Sequence, residues 1–160
     1  MSNTVIAYYS RTGKTRMVAE KLAAILGAAI EEIHETKSRA GGTGFLGGIK
    51  DTLLKCPAEL AGKHTTAGRT AVVIGMPVWA ACPPPAVRAY ANAVDLAGRK
   101  IFAFCTYDGS GAEACLQKLA GMVGGTVLET LSLKKPDKDP GLEARLREFA
   151  DRIRAATGTP

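Results

Sequence analysis

Short apolar runs alternate with amphipathic helical patterns along most of this chain. Residues 5–9, 71–76 and 101–105 are continuous apolar runs, which is typical of strands that are buried on both faces. Weaker strands are predicted over residues 29–33 and 126–133, where polar residues interrupt the pattern as they do at sheet edges. Parallel strands need crossover connections, so five strands separated by helices predict an α/β fold with a parallel sheet and helices on both faces.

The helical segments carry apolar residues at three- and four-residue spacing. We predict helices over residues 13–27, from Pro83 onward, over about residues 111–123, and after Asp139-Pro140. The region 36–69 is less regular: five of the 18 glycines lie between positions 41 and 48, and only a short helix over about residues 45–55 is predicted there. No shift in composition divides the chain, so we expect a single domain over residues 1–160.

Composition excludes several broad classes of protein. With 46% hydrophobic and 22% charged residues, the chain is expected to be globular rather than disordered. No apolar run reaches the roughly 18–20 residues of a membrane span, and no signal-peptide pattern is present, so we expect a cytoplasmic protein.

Cys56, Cys82, Cys105 and Cys115 lack a C-x-x-C spacing, and we interpret them as reduced thiols rather than as a zinc site or a disulfide framework.

The chain is basic, with 21 Lys and Arg residues against 15 Asp and Glu residues, a net charge of +6. This balance favours anionic partners, such as a phosphorylated cofactor or an acidic protein. The cations form no stripe with interleaved aromatics, so no specific nucleic-acid binding is expected. We interpret His34 and His64 as surface residues rather than as catalysts.

The turn after the first predicted strand, Ser10-Arg11-Thr12-Gly13-Lys14-Thr15, is suited to binding phosphate. In open α/β sheets, ligands bind beyond the carboxyl ends of the strands, and a helix N-terminus offers unpaired N–H groups and partial positive charge. Hydroxyls, two cations and Gly13 strengthen this interpretation. The alternative is an ordinary helix cap beside surface cations. Tyr8 stands where a Walker A loop needs glycine, and G-x-G-x-x-G is absent, so neither of those phosphate motifs matches.

Two further carboxyl-end loops each carry an aromatic residue. Trp79, the single tryptophan, follows the third predicted strand, and Tyr107 follows the fourth. Two such rings beside a phosphate loop favour a site that holds a planar ring between them, since stacking buries a large area at small entropic cost. The alternative is that both rings fill the edge of the core.

Taken in order, these three loops resemble those of flavodoxins. The first matches the flavodoxin phosphate-loop pattern [ST]-x-T-G-x-T, and Pro77-Val78-Trp79 and Thr106-Tyr107-Asp108-Gly109-Ser110-Gly111 are similar to the two loops that flank the flavin in small flavodoxin-like proteins. The resemblance spans nearly the whole chain. It implies a flavodoxin-like three-layer sandwich, a strand order of 2-1-3-4-5, and bound FMN.

The resemblance also implies roles for individual residues. Residues 10–15 would hold the ribityl phosphate, Trp79 and Tyr107 would lie against the isoalloxazine, and backbone near residues 78–80 and 107–109 would face the polar edge of the ring. The implied FMN-binding residues are Ser10, Arg11, Thr12, Gly13, Lys14, Thr15, Pro77, Val78, Trp79, Ala80, Thr106, Tyr107, Asp108, Gly109 and Gly111. No catalytic or metal-binding residues are predicted.

The implied function is electron transfer between partner proteins through the bound flavin. Such a carrier needs no acid–base residues of its own because the cofactor performs the redox chemistry. One alternative is an NAD(P)H-dependent FMN or quinone reductase on the same fold, with Arg11, Lys14 or Arg39 binding the nicotinamide cofactor. Another is a module of this fold that has lost flavin and binds proteins.

Two departures from the flavodoxin pattern affect these expectations. Flavodoxins that shuttle electrons are typically acidic, whereas this chain is basic; positive charge stabilises the anionic reduced flavin, so we expect a less negative low-potential couple. Many flavodoxins also carry glycine where this chain has Ala80, at a peptide that flips on reduction. If the flipped form needs positive φ, alanine costs on the order of 1 kcal/mol more than glycine there.

Overall fold

The computed structural model describes residues 3–35 and 59–158. The predicted short helix over residues 45–55 and the glycine-rich stretch lie outside the described residues. In chain order the described elements are β1 (Thr4–Tyr8), α1 (Lys14–Leu26), β2 (Ala29–Glu32), β3 (His34–Glu35), β4 (Leu60–Ala61), β5 (Ala71–Pro77), α2 (Pro85–Ala93), β6 (Lys100–Tyr107), α3 (Ala112–Met122), β7 (Val127–Lys134), a 3₁₀ turn (Pro136–Lys138) and α4 (Leu142–Thr157).

The main sheet has five parallel strands in the order β2-β1-β5-β6-β7. Counting only these strands, the order is 2-1-3-4-5, which confirms the predicted fold and places the two weaker strands at the edges. A second, two-stranded antiparallel sheet pairs β3 with β4. This sheet is not predictable from the sequence, because two-residue strands are too short to show a periodic pattern.

Alternation along the strands divides the core into two layers. In β1, Val5 and Ala7 belong to a cluster with α2 and α3, whereas Ile6 and Tyr8 belong to a cluster with α1 and α4. The central strands β5 and β6 divide their side chains between both clusters, which explains why their sequences are continuously apolar. Helices therefore cover both faces, and the carboxyl ends of the strands remain at one open edge.

One glycine within the sheet allows close packing. An ideal Cβ on Gly75 would lie 2.2 Å from Cζ of Phe104 on the neighbouring strand, so the aromatic ring occupies the space that any larger residue would need. Phe104 is fully buried in the layer that contains α1 and α4. This pair fixes the packing of the two central strands just below the loops at their carboxyl ends.

The helix boundaries follow the predictions within a few residues. Gly27 ends α1 in a left-handed conformation, with φ 62°, and α2 begins at Pro85. The last helix begins at Leu142, two residues after Pro140, and in the turn before it Asp139 Oδ1 accepts a hydrogen bond from Gly141 N at 2.8 Å. Across residues 3–35 and 59–158, none of the helices combines the length and apolarity needed to cross a membrane.

Candidate functional site

The loop between β1 and α1 exposes the N-terminus of a helix. Gly13, the residue preceding α1, has φ 93°, and an added Cβ would meet nothing within 4 Å. Its N–H donates to Ser10 Oγ at 3.1 Å, so the Ser10 hydroxyl shapes the loop. Gly13, at the N-cap position, has no side chain with which to cap α1, and the first-turn N–H groups have no intrahelical acceptor. The loop thus presents unpaired donors and partial positive charge, the arrangement that binds phosphate.

Lys14, the first residue of α1, joins the phosphate loop to two other loops. Its Nζ lies 2.9 and 3.1 Å from the two carboxylate oxygens of Asp108 and 3.3 Å from Oδ1 of Asp137. The hydrogen bond to Lys14 lowers the pKa of Asp108, and the same bond raises the pKa of Lys14. Both groups therefore remain charged at neutral pH. Asp108 is 62% exposed and Lys14 and Asp137 are about one-third exposed, so solvent screens these pairs and they contribute more to loop position than to stability.

A buried hydroxyl pair lies beneath the loop. Thr15 Oγ1 and Thr106 Oγ1 are 2.8 Å apart, and the two residues are 2% and 4% exposed. Each hydroxyl is the other's partner in a region with little solvent access, so the pair links the start of α1 to the end of β6. Thr106 also accepts a backbone bond from Val78 N at 3.0 Å through its carbonyl oxygen. Thr106, which itself begins one of the three predicted loops, is therefore hydrogen-bonded to the other two.

The two predicted aromatic residues differ in exposure. Trp79 is 3% exposed and packs edge-on against Tyr9, with ring centroids 5.6 Å apart. Tyr107 is half-buried and packs on the same hydrophobic cluster. Trp79 is therefore part of the core as well as of the pocket wall, whereas Tyr107 offers the more accessible ring.

Residues 79–82 form a tight turn with unusual backbone geometry. Trp79 and Cys82 exchange backbone hydrogen bonds of 3.1 and 2.9 Å, and the two central residues, Ala80 and Ala81, have φ of 50° and 57°. Left-handed φ at both central positions defines a type I′ turn, which favours glycine or asparagine there. Ala80 already has a left-handed backbone in this conformation. The free-energy cost that the sequence predicts for alanine at this peptide therefore applies here and is not specific to a flipped peptide.

Contacts with α3 hold the turn in place. Lys118 Nζ lies 3.1 Å from Ala81 O and 3.0 Å from Cys82 Sγ. Gly111, just before α3, has φ 91°, and a Cβ there would lie 2.8 Å from Cβ of Ala81. The absence of a side chain on Gly111 therefore leaves the space that Ala81 of the turn occupies.

Most of the predicted site residues line one pocket at the carboxyl edge of the sheet. The pocket is lined by Arg11, Thr12, Lys14, Thr15, Pro77, Val78, Trp79, Thr106, Tyr107, Asp108 and Gly109. The four other predicted residues lie beside it: Ser10 and Gly13 shape the first loop, Ala80 lies in the tight turn, and Gly111 supports that turn. Asp137 is not among the residues predicted from the sequence, because its approach to Lys14 depends on how the loop after β7 folds back.

The prediction that His64 is a surface residue is wrong. Its side chain is 7% exposed, and Nδ1 lies 2.6 Å from Glu31 Oε1. The imidazole also packs edge-on against Tyr90, with centroids 5.5 Å apart. His34, in contrast, is 62% exposed, as predicted. A single sequence shows no signal for the burial of His64, since the residue lies in an irregular connection.

Three of the cysteines lie within the described residues. Cys82, Cys105 and Cys115 are free thiols, as the sequence analysis predicts. Cys105 and Cys115 are fully buried, and burial raises the pKa of Cys105 to about 12. Neither buried thiol is positioned to react at neutral pH.

The fold and these loops define a doubly wound α/β protein with a candidate phosphate-binding pocket at the carboxyl edge of its sheet. A family model for flavodoxins matches residues 50–136, which are 87 of the 160 residues. The chain therefore belongs to the flavodoxin family. No curated protein matches it.

Solved structures share the fold at low sequence identity. A flavoprotein from Bacteroides uniformis is 19% identical with a TM-score of 0.79, covering 94% of this chain and 98% of its own. A flavoprotein in complex with FMN from Lactobacillus acidophilus is 18% identical with a TM-score of 0.68, covering 82% of this chain and 93% of its own. An NADH:FMN oxidoreductase in its apo form is 14% identical with a TM-score of 0.60, covering 96% and 89%.

Proposed function

We propose that this protein binds FMN at the pocket between the first, third and fourth carboxyl-end loops of the main sheet, and that it carries electrons between partner proteins through that flavin. The observation that carries the proposal is the convergence of three loops on one pocket beside the uncapped N-terminus of α1. Membership of the flavodoxin family and the FMN-bound relative from Lactobacillus acidophilus support the choice of ligand.

The residues present fit the phosphate group of FMN. The open space beside Gly13 lets an anion approach the backbone, and the first-turn N–H groups of α1 can donate to it. Arg11 and Thr12 line the pocket beside them and supply a charged and a neutral donor. Lys14 is paired with Asp108 and Asp137, so its role in the site is to position the fourth carboxyl-end loop, which carries Asp108.

The residues on the other side of the pocket fit a planar ring. Tyr107 offers a half-buried aromatic face, and Pro77 and Val78 supply apolar wall beside it. Trp79 forms part of that wall, although most of its indole is covered. When bound, the flavin supplies the redox chemistry; the chain binds it, orients its ring and sets the surrounding charge.

The test separates binding of the phosphate from binding of the ring. Purified apo-protein is titrated with FMN and with riboflavin, which has the same ring without phosphate, while the emission of the single tryptophan is followed. We expect the triple variant Arg11→Ala/Thr12→Ala/Thr15→Ala to lose FMN affinity by on the order of 100-fold. Its affinity for riboflavin should change little. An unchanged affinity for FMN would refute the proposed phosphate site.

A reductase remains the second candidate function. The basic charge of the chain suits a phosphorylated nicotinamide cofactor, and the related NADH:FMN oxidoreductase shares the fold. Addition of NADPH to the FMN-loaded protein distinguishes the two functions. Prompt bleaching of the flavin absorbance by NADPH alone supports the reductase, whereas reduction that requires a partner protein supports the carrier.

A further inference from the structure

The loop that follows β7 places lysines beside the proposed flavin pocket. Lys134, the last residue of β7, is the register partner of Tyr107 in β6, and registered neighbours in a sheet share a face. The next residue, Lys135, donates its N–H to Tyr107 O at 2.8 Å. Lys138 closes the 3₁₀ turn by donating its N–H to Lys135 O at 2.9 Å. These three lysines, which we call the lysine rim, are all exposed.

The positive charge of the lysine rim exceeds the negative charge of the carboxylates beside it. None of its three ammonium groups lies within ion-pair distance of a carboxylate in the part of the chain that the structure describes. Asp108 and Asp137 both pair with Lys14, and Asp139 pairs with Arg145. Lys14 and the rim together carry four positive charges against the two negative charges of Asp108 and Asp137, which leaves a net charge of +2 beside the pocket. Lys135 and Lys138 contribute to lowering the pKa of Asp108, which places their charges close to the pocket.

The backbone of Lys135 gives a second, independent reason to assign a role to this loop. Its φ of 46° lies in the left-handed region, where a lysine is uncommon and glycine or asparagine is favoured. The loop is also well anchored: Pro136 is buried, and Arg145 donates to Ser132 O at 2.7 Å and to Asp139 Oδ2 at 3.2 Å. A charged residue thus occupies a strained position on an ordered loop, as is frequent at functional sites.

We propose that the lysine rim is the docking surface for an acidic electron-transfer protein. This inference rests on the proposed function, since the docked partner would exchange one electron with the bound flavin. Positive charge beside an exposed redox centre attracts and orients an acidic partner, and such steering raises association rates by tenfold or more. The rim borders Tyr107, so a partner seated on it lies next to the proposed ring site.

The experiment measures electron transfer in the FMN-loaded protein. A reduced acidic [2Fe–2S] ferredoxin serves as donor: its cluster loses one electron and the flavin gains it. The test variant is Lys135→Glu/Lys138→Glu, and the control, matched in net charge, is Lys100→Glu/Arg152→Glu. Because Lys100 bonds to Ala156 O and Arg152 pairs with Glu129 and Glu148, the Tm of the control is measured to show that it remains folded. Lys100 begins β6, about 23 Å along the strand from Tyr107, and Arg152 is about 15 Å along α4 from its first residue.

We expect the test variant to slow electron transfer from ferredoxin by on the order of tenfold at low salt, and the control to change it by less than about twofold. The difference should shrink at high salt because the Debye length falls from about 30 Å to about 3 Å. Oxidation of the reduced flavin by small ions gives a second measure of local charge. The trianion ferricyanide should react more slowly with the test variant, and the trication hexaammineruthenium(III) should react faster.

The variant Lys135→Gly separates a functional role from a structural one. Glycine relieves the left-handed strain and removes one charge, so this variant should be at least as stable as the native protein and still slower with ferredoxin. Equal rates for native, test and control proteins would overturn the docking proposal. Slowing confined to reduction by NADPH would also overturn it and assign the rim to a nicotinamide phosphate. If the native protein binds no FMN, the proposed function fails instead, and the titrations with FMN and riboflavin show this separately.

Discussion

The tight turn at residues 79–82 permits a direct measurement of backbone strain at the pocket wall. Ala80 has φ 50° and is exposed, so replacing it with glycine removes almost no packing. The left-handed conformation costs a non-glycine residue about 1–2 kcal/mol. Glycine adds freedom to the unfolded chain, which costs about 0.4–1 kcal/mol. The balance predicts that Ala80→Gly raises the free energy of unfolding by about 1 kcal/mol, with a rise in Tm of about 2–4 °C.

The same chemical change in a helix provides the control. Ala24 is exposed within α1, where glycine costs about 1 kcal/mol relative to alanine. Urea denaturation of the apo-protein, followed by circular dichroism, should therefore shift in opposite directions for Ala80→Gly and Ala24→Gly. Ala81→Gly should give a smaller gain, since its methyl group packs against Gly111. If Ala80→Gly destabilises the protein as much as Ala24→Gly does, the left-handed turn is not populated in solution and the strain argument fails.

Three further predictions concern the core and the site. Gly75→Ala should destabilise the protein by about 2 kcal/mol or more, because a Cβ 2.2 Å from Cζ of Phe104 displaces that buried ring; a Tm equal to that of the native protein would contradict this. Thr15→Val should cost about 1–3 kcal/mol in urea denaturation by leaving the buried hydroxyl of Thr106 unpaired, and the double variant with Thr106→Val should recover part of that loss. Burial raises the pKa of Cys105 from 9.0 to about 12. The thiol therefore loses its proton at lower pH in the unfolded chain than in the folded protein, and the free energy of unfolding falls by about 1.4 kcal/mol per pH unit between those two values. In urea denaturation at a series of pH values, Cys105→Ala should show a smaller fall in this free energy.

Several features of the fold were predictable because they depend on local patterns. The central strands are continuously apolar because both of their faces are covered, and the edge strands β2 and β7 carry interrupting polar residues. Gly27 and Pro85 mark helix boundaries through conformational preferences that act within a single turn. The strand order itself came from the resemblance to flavodoxins, since periodicity does not distinguish one order of parallel strands from another.

Other features depended on contacts between residues far apart in the chain. The pairing of Lys14 with Asp137 and the burial of His64 against Glu31 and Tyr90 join segments that no local pattern connects. The left-handed turn at Ala80 runs against local preference, because alanine disfavours positive φ. Its geometry is maintained by Lys118 and Gly111 from another part of the chain.

The residue pattern alone was enough to establish a parallel α/β architecture and to direct attention to three loops, because hydrophobic periodicity and turn chemistry are local properties of a sequence. Only the tertiary structure shows that Trp79 belongs partly to the core and that Tyr107 offers the more accessible ring. Only the tertiary structure shows that the lysine rim lies beside Tyr107 of the same pocket. These relations arise from the parallel register of neighbouring strands, which brings distant loops together at one edge of the sheet.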